Sequence, residues 1–302
     1  MKIAIFGSGG VGGYFGARLA AAGNEVHFLA RGAHLAAIRE HGLRVESALG
    51  NLQIKALAHE RPEEIGAADY VLFAVKLADV ESAAERLQPL VQQHTLVLCF
   101  QNGVEAAEIV ARRIGAQRAR PGVAYIATAI SAPGVVRHTG TMQRLQVGPG
   151  AERFVAACKE AGINIEQVDD IERARWEKFV FLAALSGVTS VARAPVGVCR
   201  ADPELRATFE AAMTEAWRLG RKRGVRLADD FVAERMKFVE GLPAEMRTSM
   251  QHDLEAGKPL EAPWLCGAVA RMSAQAGFEA PVNRTLYAAL RPFLHGSPGT
   301  AR

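Results

Sequence analysis

Residues 2–6 (KIAIF) form a short apolar run that passes directly into Gly7-Ser8-Gly9-Gly10-Val11-Gly12-Gly13, followed by an alanine-rich stretch closed by Gly23. The run reads as a buried strand and residues 12–23 as a helix. The spacing Gly7-x-Gly9-x-x-Gly12 therefore falls at a strand-to-helix turn, the context in which it carries meaning. At such a turn Gly7 permits the tight bend, and Gly9 lets the backbone approach a pyrophosphate with no side chain in the way. Gly12 lets helix and strand pack closely. The helix then offers unpaired N–H groups and a partial positive charge to the same anion. Gly7, Ser8, Gly9, Gly10, Val11 and Gly12 are thus expected to cradle the phosphates of a dinucleotide.

The same first 23 residues carry a lysine and then apolar and small residues, as a secretory leader would. That reading fails, because the apolar run IAIF falls well short of the roughly 7–15 residues such a segment needs. No stretch reaches the ~18–20 apolar residues of a membrane span. The nearest, 179–192, carries Ser186, Gly187, Thr189 and Ser190 and reads as a buried core helix. Four cysteines (Cys99, Cys158, Cys199, Cys266) lie far apart with no C-x-x-C pair. They point to a reducing cytoplasm and to neither a disulfide framework nor zinc. The eight histidines form no metal-binding pattern. The net charge of +4 is spread along the chain, and the basic run at 218–224 has no interleaved aromatics. A solvated helix end is expected there, with no nucleic-acid or membrane partner.

Strand-like runs at 2–6, 25–30, 69–75 and 95–100 alternate with helical periodicity at 12–23, 33–42, 79–91 and 104–115. That alternation predicts a parallel sheet with right-handed crossovers. Strand-rich segments follow at 122–130 and 143–150, then a helix within 153–162 and a strand at 163–170. Beyond residue 170 the pattern is helical: 170–192, 203–224, 229–240, 261–276 and 281–291. The expected architecture is α/β, with a Rossmann-type, doubly wound parallel sheet at 1–169 and an all-helical domain at 170–302. The tail 295–302 is expected to fray.

The second strand chooses the cofactor. A site for NAD usually places Asp or Glu at that strand's end, on the ribose 2′-hydroxyl. Here the strand runs into Ala30-Arg31-Gly32. A carboxylate would repel a 2′-phosphate, whereas a guanidinium binds one through paired charge-assisted hydrogen bonds. Arg31 therefore favours NADP(H).

With these residues in view, the chain resembles the ketopantoate reductases, or 2-dehydropantoate 2-reductases. The resemblance rests on an ordered set of segments: residues 6–32, FAVKLADV (73–80), CFQNGVEAAE (99–108) and ARWEKFVFLAALSGVTS (174–190). RTSMQHDLEAGKPLEA (247–262) and GFEAPVNRTLY (277–287) extend it over nearly the whole chain. It implies NADPH-dependent reduction of 2-dehydropantoate to pantoate in pantothenate biosynthesis, by a cytoplasmic enzyme that is often a homodimer. It also assigns roles: Lys178 and Glu261 to catalysis, and Lys76 and Asn102 to cofactor and substrate. Ser249 falls to the substrate carboxylate, with Asp253 in support. The chemistry agrees, since such a reduction needs a proton donor at the developing alkoxide and a group to hold the carboxylate.

The match departs at two substrate-facing positions. The family's asparagines four and eight residues after the catalytic lysine, on the same helix face, are Leu182 and Ser186 here. Loss of an amide partner for the pantoate hydroxyl usually costs discrimination. A related reductase of a different, more apolar 2-oxo acid therefore stays open. So does a β-hydroxyacid dehydrogenase, although Arg31, Ser249 and Glu261 fit it poorly. A non-catalytic NADP(H)-binding redox sensor predicts loss of Lys178 or Glu261, and both are present.

Overall fold

In the computed structural model, which describes residues 1–297, the apolar run forms β1 (Lys2–Phe6) and the glycine cluster leads into α1 (Gly10–Ala21). The chain continues through β2 (Glu25–Leu29), α2 (Gly32–His41), β3 (Leu43–Ser47), β4 (Leu52–Ile54), β5 (Leu57–His59) and β6 (Tyr70–Phe73). There follow α3 (Val80–Glu85), β7 (Leu96–Cys99), α4 (Ala106–Ile114), β8 (Ala119–Ala132), β9 (Val135–Val147), α5 (Glu152–Glu160) and β10 (Asn164–Gln167). The strands lie in the order β4-β3-β9-β8-β7-β6-β1-β2-β5, and β10 pairs in parallel with the last residues of β9, 144–147.

Strands β2, β1, β6 and β7 are parallel and in register, Phe6 pairing with both Leu29 and Phe73, and Phe73 with Cys99. Ile3, Ala4 and Ile5 are fully buried, as expected for a strand covered on both faces. The purely parallel expectation ends at β8. Its first residues continue the parallel ladder beside β7, and the rest runs antiparallel against β9 in a long hairpin turned at Gly134 (φ +77°). The sheet is mixed, in a Rossmann-like domain followed by a helical one.

The helical domain comprises α6 (Ile171–Ala192), α7 (Val196–Ala201), α8 (Pro203–Lys222), α9 (Phe231–Glu240), α10 (Ser249–Glu255), α11 (Cys266–Gln275) and α12 (Pro281–Leu290). Asp202 starts α8 by accepting from the Glu204 and Leu205 N–H groups, with Pro203 in the first turn, the residue types that helix starts favour. The Glu215 carboxylate on α8 accepts from the Val282 and Asn283 N–H groups and so caps α12.

Two compact units result. One holds Met1–Gln101 and Glu105–Ala174; the other holds Asn102–Val104 and the chain from Arg175 onward. Each has its own core. Ile5, Phe15, Phe28, Leu72 and Phe154 belong to the first, and Phe179, Ala183, Met213 and Val269 to the second, together with Val104. Burial of Val104 is what ties the segment after β7 to the helical unit.

Some elements differ from the sequence expectation. The helix read at 79–91 stops at α3 and gives way to a 3₁₀ turn at Gln88–Leu90, because Pro89 lacks an N–H and its ring clashes with the carbonyl four residues back. The helix read at 261–276 begins only at α11, after a 3₁₀ turn at Ala262–Trp264 containing Pro263. Strands β3, β4 and β5 and helices α7 and α10 escaped the pattern. His295 forms an isolated bridge with Pro259; the remainder of the expected frayed tail, from residue 298, lies outside the described residues.

Candidate active site

The glycine loop sits where β1 ends. Gly7 adopts φ +105°, and a side chain there would meet the backbone of Ala74 and Val75 at 2.7–2.9 Å. Gly12 is closed in the same way: a side chain would run into the Gly7 carbonyl and the Ile5 side chain. Gly10 lies against the Thr128 backbone, and Val11 is partly exposed. Above Gly9 there is nothing within 4 Å. Ser8 is turned inward, its N–H and hydroxyl both donating to the Leu29 carbonyl at 3.1 and 2.8 Å. A ligand at this loop would therefore meet backbone rather than the Ser8 hydroxyl. The start of α1 has no side-chain cap and no acidic residue in its first turn, leaving its N–H groups and dipole to an anion. These features fit a dinucleotide pyrophosphate.

Arg31 lies just past β2, and its side chain is 82% exposed. It is not a lone cation: one terminal nitrogen donates to Asp79 Oδ2 at 3.0 Å. Sequence reasoning missed Asp79, three residues past Lys76 in the same loop. Lys76 is exposed and follows β6 at the same sheet edge. That edge is where the ends of β1, β2 and β6 gather the glycine loop, Arg31 and Lys76, and it is the ligand-binding edge of open α/β sheets. Gln101 fastens it, donating from its amide to the Phe73 and Val75 carbonyls at 3.0 and 3.3 Å.

The helical unit gathers the other candidates. Lys178 lies on α6, and its Nζ donates to Asn102 Oδ1 at 2.9 Å. The residue as a whole keeps some exposure, but burial of its ammonium end pushes its pKa down to about 8, while the negative charge of Glu261 pulls the other way. A lysine of this kind still carries its proton near neutral pH and releases it readily. Glu261 does not start a long helix; it precedes the 3₁₀ turn before α11 and is partly buried.

Ser249 is the exposed first residue of α10, and Asp253, one turn on, shares its face. The neighbouring Thr248 supplies the cap, accepting from the Gln251 N–H at 3.2 Å. Leu182 follows Lys178 by one turn of α6 and packs partly buried on the apolar cluster. Ser186, a further turn on, is buried, and its hydroxyl has no hydrogen-bond partner among the described residues. All four cysteines are buried and none forms a disulfide, and burial pushes the Cys266 thiol up to about 12. No helix among the described residues is long and apolar enough to cross a membrane.

Residues 3–152 match the family described as ketopantoate reductase PanE/ApbA, and residues 170–293 match its C-terminal counterpart. The chain belongs to the ketopantoate reductase family. A 2-dehydropantoate 2-reductase of Mesorhizobium japonicum is 33% identical over 89% of this chain and 90% of its own length. Among solved structures, the PanE/ApbA family ketopantoate reductase of Ralstonia eutropha JMP134 is 34% identical, with a TM-score of 0.90 over 97% of this chain and 98% of that one. D-mandelate dehydrogenase, solved with NADH and anilino(oxo)acetate, has a TM-score of 0.88 over 97% of this chain and 98% of its own. At 21% identity it shares the fold. Membership makes this chain an oxidoreductase of the 2-dehydropantoate 2-reductase type, acting on a small molecule.

Proposed function

We propose that this chain reduces 2-dehydropantoate to pantoate with NADPH, as a cytoplasmic, homodimeric enzyme of pantothenate biosynthesis. In this reading residues 1–169 hold the cofactor and residues 170–302 supply the substrate and catalytic groups. The observation that carries it is Lys178: a desolvated ammonium with a pKa of about 8, held by Asn102 and under the field of Glu261.

The backbone at Gly9 and the start of α1 would receive the pyrophosphate, and Arg31 the 2′-phosphate. When bound, the reduced nicotinamide supplies the hydride for the carbonyl carbon of the oxo acid. Lys178 donates its proton to the carbonyl oxygen as negative charge builds there. Asn102 fixes the direction of the ammonium, and Glu261 favours its charged form before transfer. Ser249 is assigned to the substrate carboxylate, and Lys76 to cofactor and substrate. Four buried cysteines outside any disulfide suit a reducing compartment.

Lys178→Ala tests the assignment: turnover should fall by orders of magnitude while NADPH affinity stays near that of the native protein. Native kcat in this variant would remove Lys178 from the mechanism.

Leu182 favours a second reading. It places an apolar side chain one turn from Lys178, and the unpartnered Ser186 hydroxyl follows one turn later. A 2-oxo acid with a more apolar chain would suit that face, by the same proton and hydride transfers.

A further inference from the structure

His34, on the first turn of α2, uses both ring nitrogens on two other parts of the first unit. Its Nε2 lies 2.8 Å from the Ser8 carbonyl oxygen, in the glycine loop. Its Nδ1 accepts from the Gly134 N–H at 3.0 Å, in the turn between β8 and β9. A backbone N–H can only donate, so Nδ1 must be the bare nitrogen and Nε2 must carry the proton. Ser8 therefore receives a hydrogen bond from a neutral ring of defined tautomer.

That bond acts on a rigid unit. No cis peptide occurs among the described residues, so the Gly9 N–H points opposite to the Ser8 carbonyl in one plane. Whatever holds the carbonyl also sets the direction of the N–H. Ser8 is anchored on its other side by the two bonds to Leu29, and the Gly9 carbonyl accepts the first α1 bond from Gly13 at 2.7 Å. The Ser8–Gly9 peptide is thus held directly by His34 and on either side by bonds of its two flanking groups, and a side chain built on Gly9 would meet open space. The support behind His34 is firm as well. Gly134 accepts from the Arg44 N–H at 2.9 Å, and a side chain on Gly134 would stand 3.1 Å from the Ala37 methyl of α2.

We infer that His34 is a positioning residue for the cofactor loop. Braced by the Gly134 turn, its ring grips the Ser8 carbonyl and so aims the Gly9 N–H at the pyrophosphate. This rests on the dinucleotide site proposed above. The imidazole makes no contact with the cofactor itself. It acts through the peptide plane.

Two conservative variants separate the halves of the contact. In His34→Gln the side-chain amide reaches the place of Nε2 and can still donate to Ser8. In His34→Asn it reaches only the place of Nδ1 and can serve Gly134 alone. NADPH binding, followed by its fluorescence with the native protein and with His34→Ala, His34→Asn and His34→Gln, reads the difference. His34→Ala and His34→Asn should raise the Kd about five- to tenfold, the loss expected for one neutral hydrogen bond. His34→Gln should stay within about twofold of the native protein. KM for NADPH should follow the same order and rise by more than kcat falls. Melting curves without cofactor complete the test, because affinities that merely track melting temperature across the variants would overturn the proposal. Native affinity in His34→Asn with weak binding in His34→Gln would also overturn it, as would native affinity in all three. A native protein that binds neither NADPH nor NADH would overturn the dinucleotide site itself, and this inference with it.

Discussion

Lys178 Nζ donates to Asn102 Oδ1 at 2.9 Å, joining residues 76 positions apart in the chain. The contact places an amide oxygen on an ammonium whose burial lowers its pKa, and so fixes the direction of one of its N–H bonds.

The pH dependence follows. In the proposed mechanism Lys178 can donate a proton only while charged, and burial lowers its pKa to about 8. The rate of reduction should therefore be flat below that value and fall as pH rises through it. Asn102→Ala removes a partner of the charged form and should move the fall to lower pH by about one unit. Glu261→Gln should move it in the same direction, because the Glu261 charge favours the ammonium. A kcat profile over pH 6–10 checks both; a shift to higher pH in either variant would reverse the assigned electrostatics.

Stability should respond with the opposite preference. An unfolded lysine titrates near 10.4, so between pH 8 and that value the unfolded chain holds a proton that Lys178 in the fold has given up. Below pH 8 the penalty of keeping the buried end charged is felt in full; above about 10.4 it is gone. Lys178→Met should raise the apparent melting temperature at pH 7, by roughly 1–3 kcal/mol of stability. The gain should shrink to nothing as pH approaches 10.4. Melting curves at pH 7 and pH 10 measure it.

Arg31 and Asp79 form an exposed pair, worth about 0–1 kcal/mol to the fold. In the proposed reading its effect falls on the cofactor. Arg31→Ala should raise KM for NADPH about tenfold or more and leave NADH nearly alone, while Asp79→Asn frees the guanidinium and removes a repelling charge. Asp79→Asn should thus lower KM for NADPH several-fold. Parallel titrations with the two cofactors decide this, and equal effects on both would refute the 2′-phosphate contact.

The glycines should divide by what surrounds them. Gly12→Ala forces a methyl into the Gly7 carbonyl and the Ile5 side chain, and overpacking of this kind costs about 1–3 kcal/mol or more. Gly9→Ala meets open space, so it should melt like the native protein and lose cofactor affinity at least tenfold. Differential scanning calorimetry with a binding titration separates the two effects.

The glycine loop was legible because its information is local: strand, spacing and helix lie within two dozen residues. The alternation of strands and helices was legible for the same reason, and with it the parallel pairing of β2, β1, β6 and β7. The short strands were not. Arg44 and Val45 of β3 pair with Val135 and Val136, and a five-residue strand whose partner lies some ninety residues away has no periodicity of its own to announce it. Pro89 and Pro263 interrupt the helices that the apolar spacing at 79–91 and 261–276 pointed to. Within the candidate site, residue types and order were readable, but pairings were not. The partners of Arg31, His34 and Lys178 lie 48, 26 and 76 positions away, and only the fold brings them together. Glu261 shows the same limit, since its place before a 3₁₀ turn depends on how Pro263 interrupts the chain.

The most direct measurement is NADPH consumption, followed by its absorbance, with 2-dehydropantoate beside a panel of other 2-oxo acids, and the whole repeated with NADH. The account predicts that 2-dehydropantoate has the highest kcat/KM in the panel and that NADPH is used much more efficiently than NADH. Faster reduction of a more apolar oxo acid, or equal use of NADH, would contradict it.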